Sequence, residues 1–210
     1  MRVCLVPMKP LGTAKERLAG VLSPDARRAL SLAMLRDVCT AATVLDVVWV
    51  LQSDGEAAAV AREIGAEPRP DPAPGAGLNA SFEAATIEAI AAGATGVLLL
   101  SADLAAVTTE DVEAIAAGSG IAIAPDRAGT GTNALWRQPP DAIPLAFGPA
   151  SRSVHEALAR ERGLAVRVVE RPGLALDVDE PADVGDAALR GGPATRTALA
   201  TLGYAAGRGR

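Results

Sequence analysis

Aromatic side chains make up only 2% of the sequence, which also holds a single histidine, His155, and two cysteines, Cys4 and Cys39. A core must therefore come from Ala, Val, Leu and Ile, which the 50% hydrophobic fraction supplies. No Cys/His cluster exists, and each cysteine lies in an apolar segment, which argues against a disulfide framework and a zinc site. Basic residues are not in excess. The net charge of −5 and pI near 5.0 argue against a general nucleic-acid surface. No apolar run approaches the roughly 20 residues of a spanning helix, and the opening Met1-Arg2-Val3-Cys4-Leu5-Val6-Pro7 is interrupted too early for a signal peptide. The expectation is a soluble cytoplasmic protein with neither a membrane nor a nucleic-acid partner.

What is present is an alternation of short apolar runs and helical patterns. Strands are expected over residues 2–6, 46–51, 95–100, 121–125 and 165–169, with extended structure over 133–137. Ser23-Pro24 opens a helix reaching about Ala41, Asp54 caps the next, and Thr108 or Thr109 caps a fourth helix beyond the one that follows Gly77. The proline-rich stretch 67–74 reads as loop. The pattern predicts an α/β three-layer sandwich with a mostly parallel mixed sheet. A chain of 210 residues suffices for one domain. That domain is expected over residues 1–190, leaving 191–210 as a small-residue tail, a last short helix followed by disorder.

Strand ends carry the candidate chemistry. The loop after the first strand, from Pro7, brings Lys9, Lys15 and Arg17 around Gly12 and Thr13, a phosphate cradle without the Walker spacing or else a solvated basic loop. Asp103 follows the most apolar strand, where a carboxylate is costly unless solvated, paired or on a metal. Asp177 and Asp179 point the same way if their segment is extended, although Asp179 also suits the cap of a helix starting at Pro181. Asn79 either caps its helix or offers its amide to a base edge. The run Gly129-Thr130-Gly131-Thr132 reads as a concave anion site of backbone N–H groups, and Gly148 with Ser151 marks a helix N-terminus that favours a phosphate or carboxylate. An ordinary turn followed by a Ser N-cap fits the same residues. His155 falls outside these positions.

Taken together, these pieces resemble the CofC/FbiD guanylyltransferases of deazaflavin coenzyme biosynthesis. The matching motifs are Val6-Pro7-Met8-Lys9 through Ala14-Lys15-Glu16-Arg17-Leu18, Gly77-Leu78-Asn79, and Ala102-Asp103-Leu104. They continue with Asp126-Arg127 and Gly129-Thr130-Gly131-Thr132-Asn133-Ala134-Leu135, Phe147-Gly148-Pro149, and Pro172-Gly173-Leu174 before Asp177-Val178-Asp179. Ala105 departs from the family's proline after Asp-Leu.

The resemblance implies a nucleotidyltransferase fold of the glycosyltransferase-A type. It implies that GTP and phosphoenolpyruvate give enolpyruvyl-diphospho-guanosine and pyrophosphate, an early step toward coenzyme F420. 2-Phospho-L-lactate, 3-phosphoglycerate or another small-molecule nucleotidyl transfer are the alternatives. Carried over residue by residue, Thr132, Gly148 and Ser151 would hold the phosphoenolpyruvate, and Asp103 and Asp177 the metal, Mg²⁺, with Asp179 beside them. Lys15 joins Asp103 and Asp177 as catalytic, while Pro7, Lys9, Lys15, Arg17 and Asn79 would face the nucleotide. The product would pass to a downstream transferase of the deazaflavin pathway, and the enzyme would be a monomer or homodimer.

Overall fold

The computed structural model describes residues 1–204. Its seven-stranded sheet has the order β3-β2-β1-β4-β6-β5-β7. β1 (Arg2–Pro7) lies between β2 (Val47–Gln52) and β4 (Gly96–Leu100), parallel to both. β6 (Thr132–Gln138) runs antiparallel to β4 on one side and to β5 (Gly120–Pro125) on the other. β7 (Val166–Val168) closes the far edge parallel to β5. The mostly parallel mixed sheet is therefore as expected, with β6 the one reversed strand.

Period-two alternation divides the core. Cys4 and Val6 face one layer with Leu35 and Val38, where α1 (Pro24–Ala42), α2 (Gly55–Glu63) and α4 (Thr109–Ile115) pack. Val3 and Leu5 face the other with Phe82, Ala85 and Ala159, from α3 (Leu78–Ala91) and α5 (Ser151–Glu161). β4 is buried along its whole length, which is why it carries no polar alternation. Small residues let the helices approach the sheet with few aromatics. Trp136 uses that room, since its indole lies where a Cβ on Gly96 would come within 2.3 Å.

Two readings of the chain need correction. Residues 67–74 were expected as loop, yet β3 (Glu67–Pro70) pairs in parallel with β2. β3 is an edge strand, and a proline there gives up an N–H that need not bond a neighbour. The last short helix expected in the stretch from residue 191 is present as α8 (Pro193–Thr201), but it is no loose tail: it packs on α1 and on α7 (Pro181–Arg190), which follows the one-turn α6 (Pro172–Ala175). Leu199 is fully buried in a third cluster with Leu30, Met34 and Val184. The expected disorder beyond it lies outside the described residues. Asp37 of α1, itself buried, accepts from the N–H groups of Ala194 and Thr195 at 3.0 and 2.8 Å, so α8 is capped from another element.

Candidate active site

The carboxyl ends of β1 and β4 meet the start of β6 at one cavity of about 440 Å³. Pro7, Lys9, Lys15 and Arg17 line it from the first loop. Asp103, Asp177 and Asp179 line it opposite. A short antiparallel pairing draws the late acids onto the early one: Leu104 bridges Asp177, Val178 N–H donates to Asp103 O at 3.2 Å, and Ala105 N–H donates to Leu176 O at 3.0 Å. The last bond is one that a proline at position 105 would lack. It holds the Asp103 turn through the ladder.

Lys15 is the centre of the charge distribution. Its Nζ donates to Asp103 at 2.5 Å and to Asp179 at 2.9 Å. Burial alone would lower its pKa, but the two carboxylates outweigh that and raise it above the ordinary lysine value. Asp179 is correspondingly held below the usual carboxylate range: burial would raise it, and the ion pair with Lys15, helped by Arg17 and Lys9, wins. Asp177 goes the other way. Burial and the nearby Asp103 and Asp179 raise it, against the hydrogen bond it accepts from Asn133 at 3.2 Å. The Lys15 backbone has φ 56, the left-handed region, where non-glycine residues cost about 1 kcal/mol or more. The helix at Pro181 is capped by Glu180 with Asp183, so Asp179 is released from capping and turns to Lys15.

Among the described residues, no three acidic, histidine or cysteine side chains form a ready cage for a metal ion. The Lys15 ammonium stands where a cation between Asp103 and Asp179 would stand. Three carboxylates line one cavity, two of them, Asp103 and Asp179, bound to the Lys15 ammonium, and oxygen donors of this kind suit a divalent ion.

Thr132, Gly148 and Ser151 do not line this cavity; Ser151 N–H donates to Gly148 O at 3.2 Å. Thr132 and Asn133 alternate across β6. Asn133 donates to Leu174 O and Asp177 on one face, while Thr132 meets His155 at 3.1 Å on the other. Ser151 lies one turn before His155 on α5, and Arg152 N–H donates to Thr130 O at 3.1 Å, tying α5 to the β5–β6 hairpin.

The anion devices differ from expectation. The Gly/Thr run is a hairpin loop that wraps the chain's own Asp126, whose Oδ1 accepts from Thr130 N–H at 2.9 Å. A Cβ on Gly131 would lie 2.6 Å from the other Asp126 oxygen. The loop N–H of Thr130 is thus taken by an internal carboxylate, and Thr132 beyond it is buried. Ser151 is not the cap of α5 but its first residue. Ala150 precedes it with φ 55, and the N–H groups of Ser151 and Arg152 are taken by Gly148 O and Thr130 O.

Asn79 neither caps α3 nor keeps its amide free. Gly77 is the N-cap, and Asn79 donates to Phe147 O at 2.9 Å and accepts from Phe147 N–H at 2.7 Å. The two bonds match an amide to a peptide, so Asn79 fixes the loop that presents Gly148. His155, which the sequence placed outside the site, stands directly behind Thr132. It and Asn133 carried no sequence signal beyond their closeness to Thr132 and to the helix start.

A mostly parallel sheet with one reversed strand and a cleft at its carboxyl edge, lined by cations and carboxylates, places the chain in the open α/β class that binds its ligands at the carboxyl ends of the strands. A solved chain of Desulfovibrio desulfuricans G20 described as a nucleotide-diphospho-sugar transferase superposes with a TM-score of 0.71, covering 97% of this chain and 98% of that one at 17% identity. The family model "Guanylyl transferase CofC like" matches residues 1–206, and the chain belongs to that family. Phosphoenolpyruvate guanylyltransferase of Sphaerobacter thermophilus is 42% identical over 192 residues, 89% of this chain and 92% of that protein. That of Rubrobacter xylanophilus is 42% identical over 194 residues, 90% and 94% of the two.

Proposed function

We propose that this chain joins GTP to phosphoenolpyruvate, giving enolpyruvyl-diphospho-guanosine and pyrophosphate. The observation that carries the reading is the cavity in which Lys9, Lys15 and Arg17 face Asp103, Asp177 and Asp179. Family membership and relatives of that activity support it. The cytoplasm is the compartment this reading implies, with the product passing to a downstream transferase of the deazaflavin pathway.

A phosphate oxygen of the acceptor forms a bond to the α-phosphorus of GTP as the bond from that phosphorus to the β-phosphate bridge breaks. The attacking phosphate is already anionic, so no side chain has to remove a proton. His155 is unsuited to that task, being buried with both ring nitrogens hydrogen-bonded. Catalysis is then positioning and charge neutralisation.

Thr132, Gly148 and Ser151 hold the acceptor, and Lys9, Lys15 and Arg17 with Pro7 face the triphosphate, whose leaving pyrophosphate takes the lysine and arginine charges. Asn79 contributes through the Phe147–Gly148 loop. Asp103 and Asp177, with Asp179, would hold Mg²⁺, which supplies Lewis-acid stabilisation of the charge at the transferring phosphorus. Lys15 compensates Asp103 and Asp179 in the absence of that ion.

The test is pyrophosphate release from GTP and Mg²⁺ with phosphoenolpyruvate, 2-phospho-L-lactate and 3-phosphoglycerate in turn, with the product mass measured. Release with phosphoenolpyruvate alone is expected. Release with none of the three would sink the acceptor assignment.

A further inference from the structure

The histidine behind the acceptor residues does more than fill space. Ala146 N–H lies 3.0 Å from His155 Nε2. A backbone amide has a proton to give and cannot take one, so Nε2 is the bare nitrogen of the ring. The side chain is fully buried. Burial, reinforced by the Arg137 guanidinium, pushes its pKa down to about 4, so the imidazole is neutral near pH 7. A neutral ring carries one proton, and here it is on Nδ1. Nδ1 faces Thr132 Oγ1 at 3.1 Å, so it donates and the hydroxyl oxygen accepts. Phe147 packs edge-on against the ring with centroids 5.2 Å apart, which resists the ring flip that would exchange the two nitrogens.

The consequence falls on the Thr132 proton. A hydroxyl has one proton to give, and its bond to His155 does not use it. Among the described residues, Thr132 Oγ1 makes no other hydrogen bond. We infer that His155 is a positioning residue that locks Thr132 as an O–H donor, so that Thr132 presents a proton rather than a lone pair to the anionic acceptor. This rests on the reading that Thr132 touches the acceptor. The opposite tautomer would consume the threonine proton and turn an oxygen lone pair toward a carboxylate or phosphate, which repels it. The same side chains in the same places would then discriminate against the substrate.

The chain has one histidine, so ¹⁵N NMR of the tag-free protein reads this ring without assignment. At pH 7 the Nδ1 nitrogen should carry the proton and Nε2 none. A protonated Nε2 with a bare Nδ1 overturns the inference whatever the substrate proves to be.

Kinetics supplies the second arm. His155→Asn puts a side-chain amide at the Nδ1 position and keeps a donor for Thr132. His155→Gln reaches the Nε2 position, keeps a partner for Ala146 and gives Thr132 nothing. His155→Gln should raise the KM for phosphoenolpyruvate about tenfold, the size of one hydrogen bond to a charged ligand, with the KM for GTP within about twofold of wild type. His155→Asn should keep both within about threefold. Equal losses in the two variants, or parallel rises in both KM values, would mean a merely structural role.

Thr132→Val separates this inference from the reading beneath it. An unchanged acceptor KM there removes the acceptor site itself. A raised acceptor KM beside wild-type constants in His155→Gln overturns the role of His155 alone.

Discussion

Single residues in this site are set by their neighbours. Lys15 is raised and Asp179 lowered because each supplies the other's missing charge, whereas Asp177 is raised because burial and two like charges outweigh one Asn133 hydrogen bond. Asp103→Asn should lower kcat by about 10²-fold or more, the scale of losing one preorganised charge at a reacting centre, with the melting curve little changed. Pyrophosphate release and circular dichroism on the same preparation check it, and wild-type turnover would remove Asp103 from the mechanism. His155 gives a pH signature. Its folded pKa of about 4 lies below the ordinary histidine value, so the unfolded chain binds the extra proton first as pH falls. Stability from this group is present above about pH 6.5 and is lost as pH falls toward 4, by on the order of 3 kcal/mol. The unfolding free energies from urea titrations of wild type and His155→Gln should differ in their pH dependence between those values; matching pH dependences would refute the assignment.

At the scale of elements, the site exists because separate segments are tied by few bonds. The pairing of residues 103–105 with 176–178 places Asp177 beside Asp103, and the Asn79–Phe147 amide pair fixes the loop before α5. The α1–α8 junction works in the same way, with Asp37 as the borrowed cap. Asp37→Ala leaves two N–H groups without their acceptor and should cost about 1–3 kcal/mol. Equilibrium unfolding measures this, and a loss under about 0.5 kcal/mol would show that α8 is held by its apolar face alone. The cap was invisible in the sequence because Asp37 and Ala194 are far apart along the chain, whereas the local caps Ser23, Asp54 and Thr108 were legible.

For the whole molecule, the sheet places one set of cations and one set of carboxylates across a single cleft, with Lys15 already bridging them. At the proposed metal site Mg²⁺ alone would have to compete with that ammonium, while Mg²⁺ with GTP would bring phosphate charge to take up the lysine. Thermal unfolding should therefore respond little to millimolar Mg²⁺ and should rise by several degrees when GTP is added, since a ligand at 100 times its Kd stabilises by about 2.7 kcal/mol. A full shift with Mg²⁺ alone would mean that Lys15 does not hold the carboxylates in solution. Described residues contain no helix long and apolar enough to cross a membrane.

The order of elements apart from β3, the buried β4 and the placing of Lys15 and Asp103 after strand ends were determined by the sequence itself, because hydrophobic period and strand termini are local properties. The Gly/Thr run was legible as a tight loop but not as a nest already filled by Asp126. Its backbone shape follows from glycine, while its occupant depends on where a side chain folds back. Only the tertiary structure decided what Asn79 bonds to, that Asp179 pairs with Lys15 instead of capping α7, and that His155 stands behind Thr132. Each of these is a contact between residues distant in the chain. Hydrogen-bond partners and burial there are set by how the sheet and helices close on one another, which no local pattern encodes.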